Sequence, residues 1–99
     1  MKYGLLVRLK AKSGKELAVE EFITGALPLA VEEQKTMTWY AIKIDSSTFG
    51  IFDTFPDEDG RDAHLGGKIA EALMAQAPEL LAEEPVIEKI DVLAAKMAT

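Results

Sequence analysis

The chain has 99 residues, of which 48% are hydrophobic, no cysteine and a formal net charge of -6. This length and composition predict one folded domain over residues 1–99, and the lack of cysteine excludes disulfides and thiolate chemistry and fits a cytoplasmic protein. The acidic charge, with lysines scattered along the chain, argues against nucleic-acid binding, and no apolar run approaches the ~20 residues that cross a bilayer.

The first predicted strand runs from Tyr3 to Lys10. Its alternate residues Tyr3, Leu5, Val7 and Leu9 are all apolar, whereas the intervening positions include basic side chains. Alternation of this kind is typical of a strand that has one face in a core.

A helix is predicted next, because Ser13 and Glu16 have the spacing of a capping box with Ser13 as the N-cap. Pro28 lies inside the helical pattern and predicts a kink or break near Thr24–Gly25. The helix is expected to end around Glu33 to Lys35. Its apolar stripe is expected to consist of Val19, Phe22, Ile23, Ala26, Leu27 and Ala30.

An aromatic hairpin follows over residues 36–55, with two strands around a tight turn at residues 45–47. Because neighbouring residues of a strand point to opposite faces, both faces of this hairpin are apolar and both need cover. Helices of the same chain can cover one face, and a second copy of the protein can cover the other. The aromatic residues concerned are Trp39, Tyr40, Phe49, Phe52 and Phe55.

A second helical region is predicted from about Glu58 to Ala77, with Asp57 as its N-cap. Gly66–Gly67 predicts that the region consists of two pieces. Pro78 is expected to begin a separate short helix over residues 78–82, because proline suits the first turn of a helix. The expected apolar stripe of the region is Leu65, Ile69, Ala72, Leu73 and Gln76.

A last strand is predicted over residues 86–94, which completes the order β-α-β-β-α-β. This order predicts a ferredoxin-like α+β fold, in which a four-stranded antiparallel sheet carries its helices on one face. The other face would expose Leu6, aromatic residues of the hairpin and Val92 or Leu93. A large apolar patch usually marks an interface, so we predict a two-fold homodimer in which the open sheet faces meet.

Three stretches of the chain resemble the antibiotic biosynthesis monooxygenase family. They are VRLKAKSGKELAVEEFI, the aromatic hairpin and FGIFDTFPDEDGRDAHLGGKIAEAL, which together span nearly the whole chain. The resemblance implies a dimeric α+β barrel that oxidises a small aromatic, quinol or anthrone-like substrate with O₂, without a metal, flavin or other cofactor.

Two departures from the family pattern narrow this expectation. A haem-degrading branch has a histidine late in the second helix, where this chain has residues 72–76 without one, so haem degradation is not expected. Many relatives have a second histidine where this chain has Lys68–Ile69, so a two-histidine mechanism is not expected either.

His64 is the only side chain whose unperturbed pKa lies near neutrality. We interpret it either as a general base or hydrogen-bond partner of a substrate, or as a packing or solvent-facing histidine, because its helical projection falls beside the apolar stripe. Asp53 lies in an apolar strand and is costly to bury unless it is paired, and either Arg8 or His64 is a suitable partner. Alternatively, Arg8 binds an anionic substrate.

The hairpin supplies the remaining candidate site residues. Trp39, Phe49 and Phe52 are candidate substrate-binding residues, although each of them also fits a core or a dimer interface. Together they predict an apolar pocket between the helices and the sheet that keeps water from reactive intermediates. Tyr40 is a candidate catalytic residue, because a buried hydroxyl needs a partner and can donate to a substrate oxygen.

These residues lead to one preferred hypothesis and two alternatives. The preferred function is a cofactor-independent monooxygenase with His64, Tyr40 and Asp53 at its catalytic site. The alternatives are a binding or regulatory module that uses the same pocket without turnover, and an isomerase-like relative, since proton abstraction needs only the base. We find no phosphate-binding loop, metal-ligand cluster or Ser-His-Asp set in the sequence.

Overall fold

Four strands form one antiparallel sheet, and the helices pack on one of its faces. The computed structural model describes residues 2–97. Its elements are β1 (Tyr3–Lys10), α1 (Glu16–Gly25), α2 (Leu27–Glu32), β2 (Thr38–Lys43), β3 (Thr48–Phe55), α3 (Glu58–Leu65), α4 (Lys68–Leu80) and β4 (Val86–Asp91). The strands are ordered β2-β3-β1-β4, which confirms the predicted ferredoxin-like α+β arrangement. Within residues 2–97, no helix has the length and apolar character needed to cross a membrane.

The helix-covered face of the sheet carries the core. Leu9, Phe49 and Val19 are at most 1% exposed and belong to one apolar cluster between the sheet and the helices. The other buried members of this cluster are Val7, Ala11, Ile23, Ile51, Leu73, Ala77, Leu80 and Leu81. Phe49, one of the aromatic residues predicted to line a pocket between the helices and the sheet, is thus a buried member of this core cluster.

The opposite face of the sheet is open. Leu6, Phe52 and Tyr40 lie next to one another across the three strands β1, β3 and β2, and Tyr40 is half exposed. The rings of Tyr40 and Phe52 stack with their centroids 6.2 Å apart. The helices of the same chain leave this apolar surface uncovered, as the strand alternation predicts.

The break between α1 and α2 confirms the kink expected from Pro28, which lies in the first turn of α2. The predicted N-cap is wrong, because α1 begins at Glu16 and its N-cap is Lys15. Gly14, at a φ of +88°, makes a turn that moves the helix start past Ser13. The Glu16 carboxylate accepts a hydrogen bond from the backbone N–H of Gly14, at 2.9 Å, whereas a capping box on Ser13 requires the N–H of Ser13 as the donor.

Four further predictions about the helices and the last strand are wrong. Pro78 lies inside α4 and does not begin a new helix, because buried Ala77 and Leu80 keep the helix against the sheet while Pro78 faces outward. Leu27 and Gln76, both assigned to apolar stripes, are exposed. β4 ends at Asp91, three residues before the predicted end at Ala94.

Replacement of Phe49 by alanine tests the packing of this core. The side chain is 1% exposed and fully surrounded, so Phe49→Ala is expected to lower the free energy of unfolding by about 3–5 kcal/mol. Urea denaturation measures this loss. Leu17→Ala is the control, since Leu17 is 67% exposed and its truncation should change stability by less than ~0.5 kcal/mol. Equal effects of the two substitutions would contradict the assigned core.

Candidate active site

The site is built on a carboxylate in the sheet. Asp53 lies in β3 opposite Leu5 of β1 and Trp39 of β2, and it is 0% exposed. Its strand neighbours on the same face, Ile51 and Phe55, are also buried. A carboxylate in such surroundings loses its hydration and needs a positive or hydrogen-bonding partner.

His64 is that partner. The side chain of Asp57 caps α3 by accepting a hydrogen bond from the backbone N–H of Gly60, at 2.7 Å, which confirms the predicted N-cap. α3 then places His64 over the sheet, where its Nε2 lies 2.9 Å from Oδ2 of Asp53. The imidazole also packs against the ring of Phe55, with 5.3 Å between the ring centroids. His64 is 8% exposed, so it is not the solvent-facing residue of one earlier interpretation.

Glu33 contacts the other ring nitrogen of His64. Its Oε1 lies 2.6 Å from Nδ1 of His64 and accepts a hydrogen bond from the hydroxyl of Thr36 at 2.7 Å. Glu33 is not among the predicted site residues, because it follows the last turn of α2 and belongs to no motif. The one available signal was that Glu33 lies at the predicted end of a helix. That position does not indicate a contact with His64.

The charges of Asp53, His64 and Glu33 affect one another. Burial on its own lowers the pKa of His64, but the contacts and charges of Asp53 and Glu33 outweigh burial, so this pKa is raised above 6.5. Burial raises the pKa of Asp53, and the neighbouring imidazole opposes that rise. The arrangement favours an imidazolium between two carboxylates, which we call the Asp53–His64–Glu33 array.

The array reaches the surface at a cleft that contains His64. This cleft has a volume of about 240 Å³ and is lined by Glu33, Gln34, Lys35, Thr36, Gly60, Ala63 and His64. Asp53 lies beneath His64, away from the cleft. The two carboxylates contact opposite sides of one ring and do not converge on a point, and within residues 2–97 no group of three or more His, Cys, Asp or Glu side chains is placed to hold a metal ion.

Several predicted site residues lie away from this cleft. Arg8 is on the open sheet face, where its Nε lies 3.4 Å from a carboxylate oxygen of Glu88, so the suggested Arg8–Asp53 pair is wrong. Tyr40 and Phe52 are also on the open face, and one chain does not bring them near His64. Phe49 is enclosed in the core.

Trp39 is the one predicted aromatic that stays near the site. It faces the helices, opposite Asp53 on the neighbouring strand, and packs against the apolar cluster that holds Ala26, Ala30 and Ile69. Its indole N–H is buried and has no hydrogen-bond partner among the described residues. It lines a separate cleft of about 230 Å³ with Thr36.

Comparison with solved structures places the chain in a family. The crystal structure of NE2512, a protein of unknown function from Nitrosomonas europaea, has a TM-score of 0.95 and 54% sequence identity, and the match covers 99% of this chain and 95% of that one. The chain belongs to the same family as NE2512. No protein-family model and no curated protein matches the sequence.

More distant structures share the fold. Rv0793 from Mycobacterium tuberculosis has a TM-score of 0.84 at 14% identity and covers 98% of this chain and 100% of its own. A protein named antibiotic biosynthesis monooxygenase has a TM-score of 0.79 at 12% identity and covers 93% and 99%. The chain thus has the fold of the antibiotic biosynthesis monooxygenases, and the family resemblance is confirmed at the level of the fold.

The raised pKa of His64 gives the array a testable pH dependence. A group whose pKa is raised by folding contributes stability that is fully present below its unfolded pKa, about 6.5, and is lost as the pH rises through the folded pKa. The free energy of unfolding is therefore expected to fall as the pH rises above about 6.5, until His64 has lost its proton in the folded state as well. The pKa of Asp53 is also raised, so its contribution has the same sign at lower pH.

NMR titration of this single histidine, together with urea denaturation across the same pH range, measures the effect. Glu33→Gln removes one of the two carboxylates, so the pKa of His64 should fall and the pH slope of stability should shrink. A His64 pKa below 6.5 in the wild type would contradict the charged array.

Proposed function

We propose that the protein is a cofactor-independent monooxygenase that oxidises a small aromatic, quinol or anthrone-like substrate with O₂ in the cleft beside His64. The observation that carries this proposal is the Asp53–His64–Glu33 array, which extends from a fully buried carboxylate to a surface cleft. Ionisable groups that lie at a cleft and have perturbed pKa values are typical of functional sites. The fold shared with a protein named antibiotic biosynthesis monooxygenase supports the same reaction class.

The chemistry needs an acidic substrate and a stabilised anion. Loss of a proton from an activated CH₂ group leaves an electron-rich anion that reduces O₂. One oxygen atom then becomes the carbonyl oxygen of the product, and the other leaves as water with the two hydrogens of the CH₂ group. The step that the protein can assist is formation of the anion, because hydrogen-bond donors and positive charge stabilise it.

The raised pKa of His64 disfavours its predicted role as a general base. An imidazolium is a poor base but carries a positive charge, so His64 stabilises negative charge at the cleft. Asp53 is a positioning residue, because it holds the ring and its charge without reaching the cleft. Neither role requires Tyr40, Arg8 or Phe52 on the other face of the sheet.

A second candidate function is a binding or regulatory module without turnover. The contacts of His64 favour it, since both ring nitrogens are engaged by carboxylates and neither is free for a substrate. An isomerase-like relative is the third candidate, because it shares the proton abstraction and omits the reaction with O₂.

Oxygen uptake on a panel of quinols and anthrones separates these candidates. The wild type is expected to consume O₂, and His64→Ala is expected to reduce the turnover number by about 10²–10⁴-fold. Met74→Ala is the control, because Met74 is exposed on α4 and does not line this cleft. Circular dichroism must show that each variant is folded. Uptake that is absent from the wild type would reject the monooxygenase, and uptake that is unchanged in His64→Ala would reject the role of His64.

We also propose that the protein forms a homodimer through the open sheet face. The apolar residues on this face are Leu6, Tyr40, Ile42, Phe52, Val86 and Ile90. Several of them are exposed in the single chain, including Tyr40 at 50% and Val86 at 47%. A two-fold pair of identical sheets removes this surface from water in one closed contact. A cytoplasmic location stays a prediction that rests on the lack of cysteine.

Sedimentation velocity at micromolar concentration tests the dimer. The wild type is expected to sediment as a dimer, and Phe52→Glu as a monomer, because the substitution places a charge in the centre of the apolar face. Leu17→Glu is the matched control, since Leu17 is exposed on the helical side of the molecule. A monomeric wild type would contradict the proposed interface.

A further inference from the structure

We infer that Glu33 is the catalytic residue that takes the proton from the substrate at this site. The inference rests on the proposed function for the location of the cleft and the class of substrate. Glu33 belongs to no sequence motif. With Glu33 as the base, the residue that takes the proton is not His64.

The two oxygens of the Glu33 carboxylate have different surroundings. Oε1 is held by Nδ1 of His64 at 2.6 Å and by the hydroxyl of Thr36 at 2.7 Å. Among the described residues, no hydrogen-bond donor reaches Oε2. The side chain of Glu33 is 22% exposed, whereas that of Asp53 is 0% exposed, so Glu33 is the carboxylate of the array that a ligand can touch.

Oε2 faces an open space beside Gly67. A Cβ atom built on Gly67 would lie 3.3 Å from Oε2, which is a tight contact. A side chain at this position would therefore obstruct access to Oε2. The glycine therefore leaves room in front of the free oxygen. A general base needs this accessibility, because it must come within hydrogen-bond distance of the proton that it removes.

Glu33 also lies between two clefts. The cleft of about 240 Å³ contains His64, and a second cleft of about 300 Å³ is lined by Leu29, Glu32, Glu33, Ala63, Gly67 and Lys68. Glu33 and Ala63 line both clefts. Each cleft is at or below the small end of the usual size range for ligand pockets, so a compact ring system next to the carboxylate fits better than a large one.

The proton transfer balances within the array. A carbon–hydrogen bond of the substrate breaks, its electron pair stays on the substrate as an enolate, and the proton forms an O–H bond at Oε2 of Glu33. The imidazolium of His64 keeps its proton and its charge throughout. Carboxylates serve as general bases toward activated carbon–hydrogen bonds where nearby donors stabilise the resulting enolate.

Exchange of substrate hydrogen with solvent tests this role without O₂. Anthrone and its hydroxylated derivatives are incubated anaerobically with the protein in D₂O, and NMR measures the loss of the CH₂ signal. The wild type is expected to accelerate exchange over buffer, and Glu33→Gln to lose about 10²–10⁴-fold of that acceleration. Binding of the same probes, followed by the fluorescence of the single tryptophan Trp39, should change by less than ~5-fold, because glutamine keeps the shape of the side chain.

Two further variants separate catalysis from folding. Glu79→Gln makes the same substitution at an exposed glutamate of α4, whose side chain is 76% exposed, and should leave exchange unchanged. Glu33→Ala opens space beside His64 that added acetate can fill. Acetate is therefore expected to restore exchange in Glu33→Ala and not in Glu33→Gln, whereas a purely structural role of Glu33 would give no rescue.

The outcomes distinguish this inference from the proposed function. Glu33-dependent exchange without O₂ uptake would support Glu33 as the base and reject the monooxygenase in favour of the isomerase-like alternative. Uptake and exchange that persist in Glu33→Gln would reject Glu33 as the base while the monooxygenase stands. A wild type that accelerates exchange of none of the probes would reject the inference outright.

Discussion

A carboxylate buried in the sheet is the constraint on which the site depends. Transfer of an ion such as Asp53 from water to a protein interior costs roughly several kcal/mol, and the cost is offset only when a partner charge lies at short range. The 2.9 Å contact with His64 supplies that charge. α3 must therefore place its last turn over the second half of β3. Glu33 lies on the other side of the imidazole and supplies a second carboxylate next to it.

The sheet divides the molecule into two faces with different roles. Side-chain alternation along β2 puts Trp39 toward the helices and Tyr40 toward the open face, and along β3 it does the same for Asp53 and Phe52. The ionic array is on the first face and the apolar surface on the second. A single strand thus contributes to both, so a shift of register by one residue would exchange them and bury the aromatic face while exposing the carboxylate.

The parts of the fold that the sequence predicted are those set by local chemistry. Alternation identified the core face of β1, Asp57 identified the start of α3, and Gly66–Gly67 identified the break before α4. The failures at the site concern residues whose surroundings are set by other parts of the chain. His64 projected off the apolar stripe of α4, yet it is buried, because the glycine break gives α3 a helical phase of its own. Glu33 joined the site through a contact 31 residues away that no local pattern records.

The charge of the array limits the form in which a substrate can enter. An imidazolium between two carboxylates carries one net negative charge, and the ammonium of Lys35 at the same cleft is already paired with Asp57 at 3.3 Å. A preformed anion would be repelled by Glu33, whereas a neutral, weakly acidic molecule would not. Once Glu33 takes a proton the array becomes neutral, and the positive charge of His64 is then opposed only by Asp53 beneath it. The site therefore holds the anion better after proton transfer than before, which is the order of events that catalysis requires.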